Sequence, residues 1–387
     1  MLSPEAESAL AIKTCAAILT GRQSQPIVRN GAPRAERAAM NIFRRSTVAA
    51  LGAALLASVL CSGSASAQFG IPGLDPRRAA VGAVAKQLAP YIVEQAPIKL
   101  DPVELYPTVP ALPGAPFAPV ASVQTTAVAS IVSQLRGSNT GTVSLNPGDY
   151  TVAVRQFCMS HSRPARSPLA FVLGPMRGHR APAIIAMNSR ASSTPLQFSP
   201  IQQSSWTIQS GVGFTDFGSG ARNVVDTLIP DYKGLLASSV LDDIQGKWSS
   251  LSSSVGGPSL DSILGQLGGA GQLVQDLRSW RSDIISSAND YNAMTRSFAP
   301  LQQADVSGLE SPWATVSPTV WMRLVTRGHY GNVGTMQIRV AGTGPQTIPL
   351  ISSIGYGRCT PQYTTQGQAY ACTQPLSFEV VRTPADS

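Results

Sequence analysis

The sequence predicts an α+β fold: a mixed N-terminal region with a long antiparallel helical hairpin, followed by a small C-terminal antiparallel β sheet or sandwich. Three observations carry that expectation. Apolar residues recur at helical spacing from Tyr232 to Ser253 and again from Leu273 to Phe298. After Pro312 the pattern switches to strict alternation, and Gly-bearing turns separate the alternating runs.

Taken in chain order, residues 1–39 read as an upstream extension preceding the true start, because the next segment has the form of an export signal. Met40 opens a basic stretch ending in Arg44 and Arg45, an apolar run follows from Ser46 to Leu60, and Ala65-Ser66-Ala67 suits the signal peptidase. Cleavage is expected between Ala67 and Gln68. The apolar run is shorter than the roughly 20 residues a membrane-spanning helix needs, and no later segment is long enough, so no transmembrane anchor is expected in the mature chain. The protein is therefore expected in the periplasm or outside the cell.

Residues 68–120 read as a short helix and a proline-rich spacer. Val81, Val84, Leu88, Tyr91 and Ile92 keep helical spacing until Pro97. Pro107, Pro110, Pro113, Pro116 and Pro119 then fall at every third position, the repeat of a polyproline II helix. Residues 121–215 read as mixed α and β. A helix from Val123 to Leu135 stops at Gly137, and Asn146-Pro147-Gly148-Asp149 turns into a strand in which Tyr150, Val152 and Val154 alternate with polar or small neighbours as far as Cys158. Leu169 to Val172 fits another strand, and Pro182–Ala191 and Pro200–Ser210 fit short helices with Pro in the first turn.

Residues 216–304 hold the expected hairpin, its helices joined by the Gly- and Ser-rich stretch 254–271. Residues 312–387 hold the expected β domain, with strands around Val320–Leu324, Met336–Val340, Ile348–Leu350 and Leu376–Val380. Cys359 and Cys372 are expected to form a disulfide across its last connection, in keeping with an oxidising compartment. Cys158 is left as a buried small residue or a link to another chain.

Composition narrows the function. Charged residues make up 13% of the chain, so the solvated surface is largely Ser, Thr, Gln, Asn and Gly. Seven of the 29 basic and three of the 21 acidic residues precede Gln68, which leaves 22 against 18 in the mature chain. That near balance is no electrostatic footprint for a polyanion, which would need Lys and Arg clustered on one face, and no nucleic-acid partner is expected.

No serine elbow, phosphate-cradling loop, dinucleotide fingerprint or His-Glu-x-x-His is present, and neither a metal nor a cofactor is expected. Cys158 and His161 are the one local pairing with catalytic potential, because a nearby imidazole favours the thiolate. Asp216, Asp226, Asp231, Glu310 and Glu379 are the carboxylates from which a glycoside-hydrolysing pair could be drawn. Trp206, Trp313 and Trp321 are candidate stacking surfaces for sugar rings, although large aromatics in short amphipathic elements more often anchor a core.

The functional expectation is an exported, non-catalytic binding or assembly protein whose partner is a cell-envelope polymer or another envelope protein. The alternatives are a hydrolase of cell-wall or extracellular polysaccharide and an accessory subunit of an envelope complex.

Overall fold

The computed structural model describes residues 76–100, 103–159, 170–194, 196–253, 257–287, 290–296, 311–326, 331–364 and 367–381. The expected export signal with its expected Ala67–Gln68 junction, His161, His329 and Glu310 lie outside the described residues.

Alternation builds one antiparallel sheet of eight strands. These are β1 Thr108–Val109, β3 Gly148–Cys158, β4 Val172–Pro175, β5 Trp313–Ser317, β6 Val320–Val325, β7 Val333–Val340, β9 Ser353–Thr364 and β10 Gly367–Val380. They lie in the order β1-β5-β6-β7-β3-β10-β9-β4, with β2 Val143–Leu145 and β8 Gln346–Ile348 forming a separate two-stranded ladder. The two edges of the large sheet approach one another through the segment before β1. Tyr106 donates its N–H to the Leu173 carbonyl of β4 (2.9 Å), and the Pro107 carbonyl accepts from Thr315 of β5 (2.6 Å). The sheet is thus a near-barrel with few open edges.

This architecture corrects the expected small C-terminal sheet. Residues from 312 onward supply most of the strands, but β3 lies in the middle of the sheet, between β7 and β10. Its register with both neighbours is set by burial: Tyr150, Val152 and Val154 point into the barrel, while Thr151, Ala153 and Arg155 between them are partly exposed. Met322, Leu324, Met336, Ile338, Leu376 and Phe378 fill the same interior. Helix α2, Ala121–Arg136, adds Ile131, Val132 and Leu135 to that core and ends at Gly137.

Against the outer wall pack α3 Ala181–Ala191, α4 Phe198–Gln209 and α5 Ser219–Leu228, sharing a second core with Phe157 and Tyr356. The remaining helices are α6 Lys233–Leu236, α7 Val240–Ser252, α8 Leu260–Ile263, α9 Gly269–Ser286 and α10 Tyr291–Arg296. A third core joins α7, α8 and α9 to α1, Pro76–Gln95, through Leu88, Ile92, Ile244, Trp248, Val274 and Leu277.

The long hairpin is therefore not realised as such. The first expected helix is interrupted between Leu236 and Val240, and the second ends at Ser286 and resumes only at Tyr291. The connection itself contributes to the core: Leu260, Ile263, Leu264 and Leu267 are buried with the helices they join. Gly271 permits that packing, because a Cβ there would collide with the Leu264 carbonyl.

The proline-rich stretch lies along the barrel instead of serving as a free spacer. Arg339 of β7 donates to the carbonyls of Pro113 (3.0 Å), Ala115 (2.6 Å) and Pro116 (3.1 Å), and its guanidinium is paired with Asp149 (2.6 Å). Ala118 donates its N–H to Asp149 (2.8 Å), and Phe117 packs on Trp313 with ring centroids 5.3 Å apart. Burial pushes the Asp149 carboxyl up, but the Arg339 and Ala118 donors outweigh it and hold the group below the usual carboxylate range. Proline leaves its carbonyls without local partners, and one arginine fork satisfies three carbonyls of the strap.

The disulfide Cys359–Cys372 joins residues directly opposite one another on β9 and β10. Their Cα atoms are 4.1 Å apart, the close spacing of a non-hydrogen-bonded antiparallel pair. Among the described residues no helix is long and apolar enough to cross a membrane.

Candidate functional site

Cys158 closes β3 and is fully buried. Beyond the point where β7 stops pairing with β3, the side chain of Gln202 on α4 continues the ladder. It accepts from the Cys158 N–H (2.7 Å) and donates to the Cys158 carbonyl (2.8 Å). The next residue, Met159, receives weak donations at its sulfur from Ser205 (3.6 Å) and Gln209 (3.4 Å). These contacts explain why α4, a helix rich in Gln, Ser and Thr, is buried from Ile201 to Gln209: its polar groups hold strand backbone and each other instead of water.

Aromatic rings complete the enclosure. Phe157 stacks on Phe198 (5.3 Å), Phe198 meets Tyr291 edge-on (6.4 Å), and Tyr291 stacks on Trp206 (5.9 Å). Burial, with Cys158 adding to it, pushes the Tyr291 phenol up to about 12. Cys158 is thus fully buried in the second core beside these rings.

The other candidates do not converge. Trp206 is buried in the second core, Trp313 is covered by Phe117 and by Arg323, whose guanidinium lies 4.7 Å from the ring, and Trp321 is 9% exposed. Among the carboxylates, Asp216 pairs with Arg281 (3.1 Å), Asp226 with Lys233 (2.5 Å) and Asp231 with Arg190 (2.6 Å), each on a different cation. Glu379 is buried on the outer face of the barrel wall and pairs with Arg155 (2.9 Å).

A cleft that sequence reasoning did not single out lies where α1, β4, β9 and the N-terminus of α3 meet. Its volume is about 590 Å³, and its lining includes Glu94, Lys99, Glu104, Arg177, His179 and Tyr356. Backbone hydrogen bonds fix the two walls. Lys99 donates to the Arg177 carbonyl (2.8 Å), His179 to Ala96 (2.8 Å), Arg180 to Pro97 (3.0 Å) and Val103 to Tyr370 (2.9 Å).

Two glycines make the approach possible. Gly174 lies under the Glu104 carbonyl, and Gly178, at φ +138°, lies against Pro97 and Ile98; a Cβ at either would strike backbone. Behind the cleft, the buried guanidinium of Arg180 donates to the carbonyls of Val212 (2.7 Å) and Ser238 (2.7 Å), tying the wall to the helical shell. Burial lowers the Arg180 pKa to about 10.

Tyr356 is 1% exposed, lines the cleft, and has no side-chain hydrogen bond among the described residues. Burial, with Tyr106 adding to it, pushes its phenol up, so at neutral pH it is a neutral donor. The one sequence signal that could have flagged this place is Gly174-Pro175-Met176-Arg177-Gly178-His179, turn chemistry between a strand and a helix with charged side chains spaced between glycines.

The fold and the cleft define an α+β protein with a filled near-barrel, a helical shell and a polar opening at their junction. No family model, curated protein or solved structure matches the chain.

Proposed function

We propose that the processed chain is an exported, non-catalytic binding or assembly protein of the cell envelope or exterior. The observation that carries this reading is the cleft, in which charged and hydrogen-bonding side chains are presented on backbone held rigidly by strands and by the α3 N-terminus. The cross-strand disulfide supports the compartment, since such bonds persist where the surroundings are oxidising.

The arrangement of the other candidates also favours binding over hydrolysis. A nucleophilic Cys158 would need a route to substrate, and it is fully buried among aromatic rings. A carboxylate pair would need two acids across one bond, and Asp216, Asp226 and Asp231 each hold a separate cation. The accessory-subunit reading gains nothing from the proline-rich stretch, because Arg339 holds it against the barrel.

Pelleting of the processed protein with isolated cell-wall polymer tests the reading. Co-sedimentation that is unchanged in Cys158→Ala, with no release of soluble fragments, is the expected result. Fragment release by the wild type that disappears in Cys158→Ala would establish the hydrolase instead.

A further inference from the structure

The geometry points to the cleft as a site for a compact zwitterion, an ammonium and a carboxylate carried close together as at the ends of an amino acid or short peptide. This rests on the binding reading above and names the ligand class for that same site.

Lys99 and Arg177 stand on the lining with Glu94 and Glu104, so a simple anion meets carboxylates there and a simple cation meets Lys and Arg. A ligand bearing both signs satisfies both sets. Arg177 and Glu104 already touch at 3.4 Å, but their side chains are 61% and 66% exposed, and an ion pair that open is worth little in water. An incoming carboxylate can take the guanidinium and an incoming ammonium the Glu104 carboxylate, exchanging one weak pair for two.

The floor supplies the second observation. Tyr356 is more than nine-tenths buried, is part of the cleft lining, and has no side-chain hydrogen bond among the described residues. Buried polar groups are almost always satisfied, so a donor left open at the base of a cavity marks a place for an acceptor. A ligand carboxylate provides one. A neutral sugar would instead want an exposed aromatic face, and the Tyr356 ring is packed into the second core. The cleft volume of about 590 Å³ suits a ligand of this size.

Titration calorimetry with dialanine as the probe tests the assignment, with acetyl-dialanine amide and acetate as controls. Dialanine is expected to bind and both controls to fail. Tyr356→Phe, which deletes only the hydroxyl, is expected to weaken dialanine about three- to tenfold. Exposed Glu104→Gln should weaken it as well, and it carries the test if Tyr356→Phe does not fold.

Equal binding of the blocked peptide, or wild-type affinity in folded forms of both variants, would overturn the proposal. If the protein still pelleted with cell-wall polymer while ignoring dialanine, the zwitterion site would fall and the binding reading would stand. Loss of both would remove the two together. Where dialanine binds, displacement of the protein from the polymer identifies a wall-borne peptide as the source, and persistence on the polymer identifies a free one; either supports the site.

Discussion

Replacing Glu379 by Gln should remove a loss of stability that the wild type suffers as pH rises towards neutrality. Glu379 sits on the outer face of β10 beside α3, and the interface around it is polar: Asn188 donates to Ser377 (3.1 Å), and Ser192 accepts from the Val380 N–H (3.0 Å). Arg155 reaches only Oε1, at 2.9 Å, while Oε2 is buried without a partner. Burial therefore outweighs the arginine and raises the carboxyl from its ordinary 4.5 to about 7.

The native state thus holds this proton to higher pH than the unfolded chain does. Stability from this group is complete below about pH 4.5, declines as pH rises, and levels off above about pH 7. Between 4.5 and about 7, at about 1.4 kcal/mol for each pH unit, the loss amounts to about 3 kcal/mol. Glu379→Gln carries no charge to desolvate, so at about pH 8 it should exceed the wild type by about 1–3 kcal/mol, reduced by the lost contact with Arg155.

Urea denaturation of both proteins from about pH 5 to pH 8 reads the difference directly. Parallel stability curves, or a wild type that gains on the variant as pH rises, would refute the reasoning.

Replacing Cys359 and Cys372 together by Ala should lower stability by about 3 kcal/mol, the loop-closure value for a bridge of this span, and chemical reduction of the wild type should match it in urea titration. Arg339→Met should cost about 3 kcal/mol, since it strands the Asp149 carboxylate and frees three strap carbonyls; limited proteolysis should then cut within residues 107–120 first. Gly178→Ala should cost about 1–3 kcal/mol through its positive φ and its contact with Pro97 and Ile98, and should weaken ligand binding in the cleft by displacing that wall; thermal unfolding and calorimetry measure the two effects.

What was legible in the sequence was whatever a single buried face imposes on its own neighbours. The strand through Tyr150, Val152 and Val154 was readable because alternate residues enter the barrel, and β6, β7 and the end of β10 were readable for the same reason. The helices at Ala181–Ala191 and Phe198–Gln209 lie within about two residues of their expected limits, with Pro in the first turn as the cue.

Long-range pairing was not legible. Nothing near Thr108 announces a strand of two residues, and the placement of β3 between β7 and β10 joins segments roughly 180 to 225 positions apart. The helical hairpin failed for a related reason. Periodicity continued through Ser286 to Tyr291 and through Leu236 to Val240, but apolar spacing specifies a face and not an unbroken axis. The proline repeat showed extension correctly in kind, yet its clamp is an arginine more than 200 residues downstream. The cleft stayed hidden because its lining comes from separate elements and, apart from Arg177 and His179, its titratable groups share no motif.

Under the proposed function the chain crosses a membrane and forms its disulfide on the far side. Intact-mass and peptide mass spectrometry of the native protein tests this most directly. The predicted result is a mature amino terminus at Gln68 with Cys359 and Cys372 joined; a cytosolic chain that retains residues before Gln68, with both thiols reduced, would contradict it.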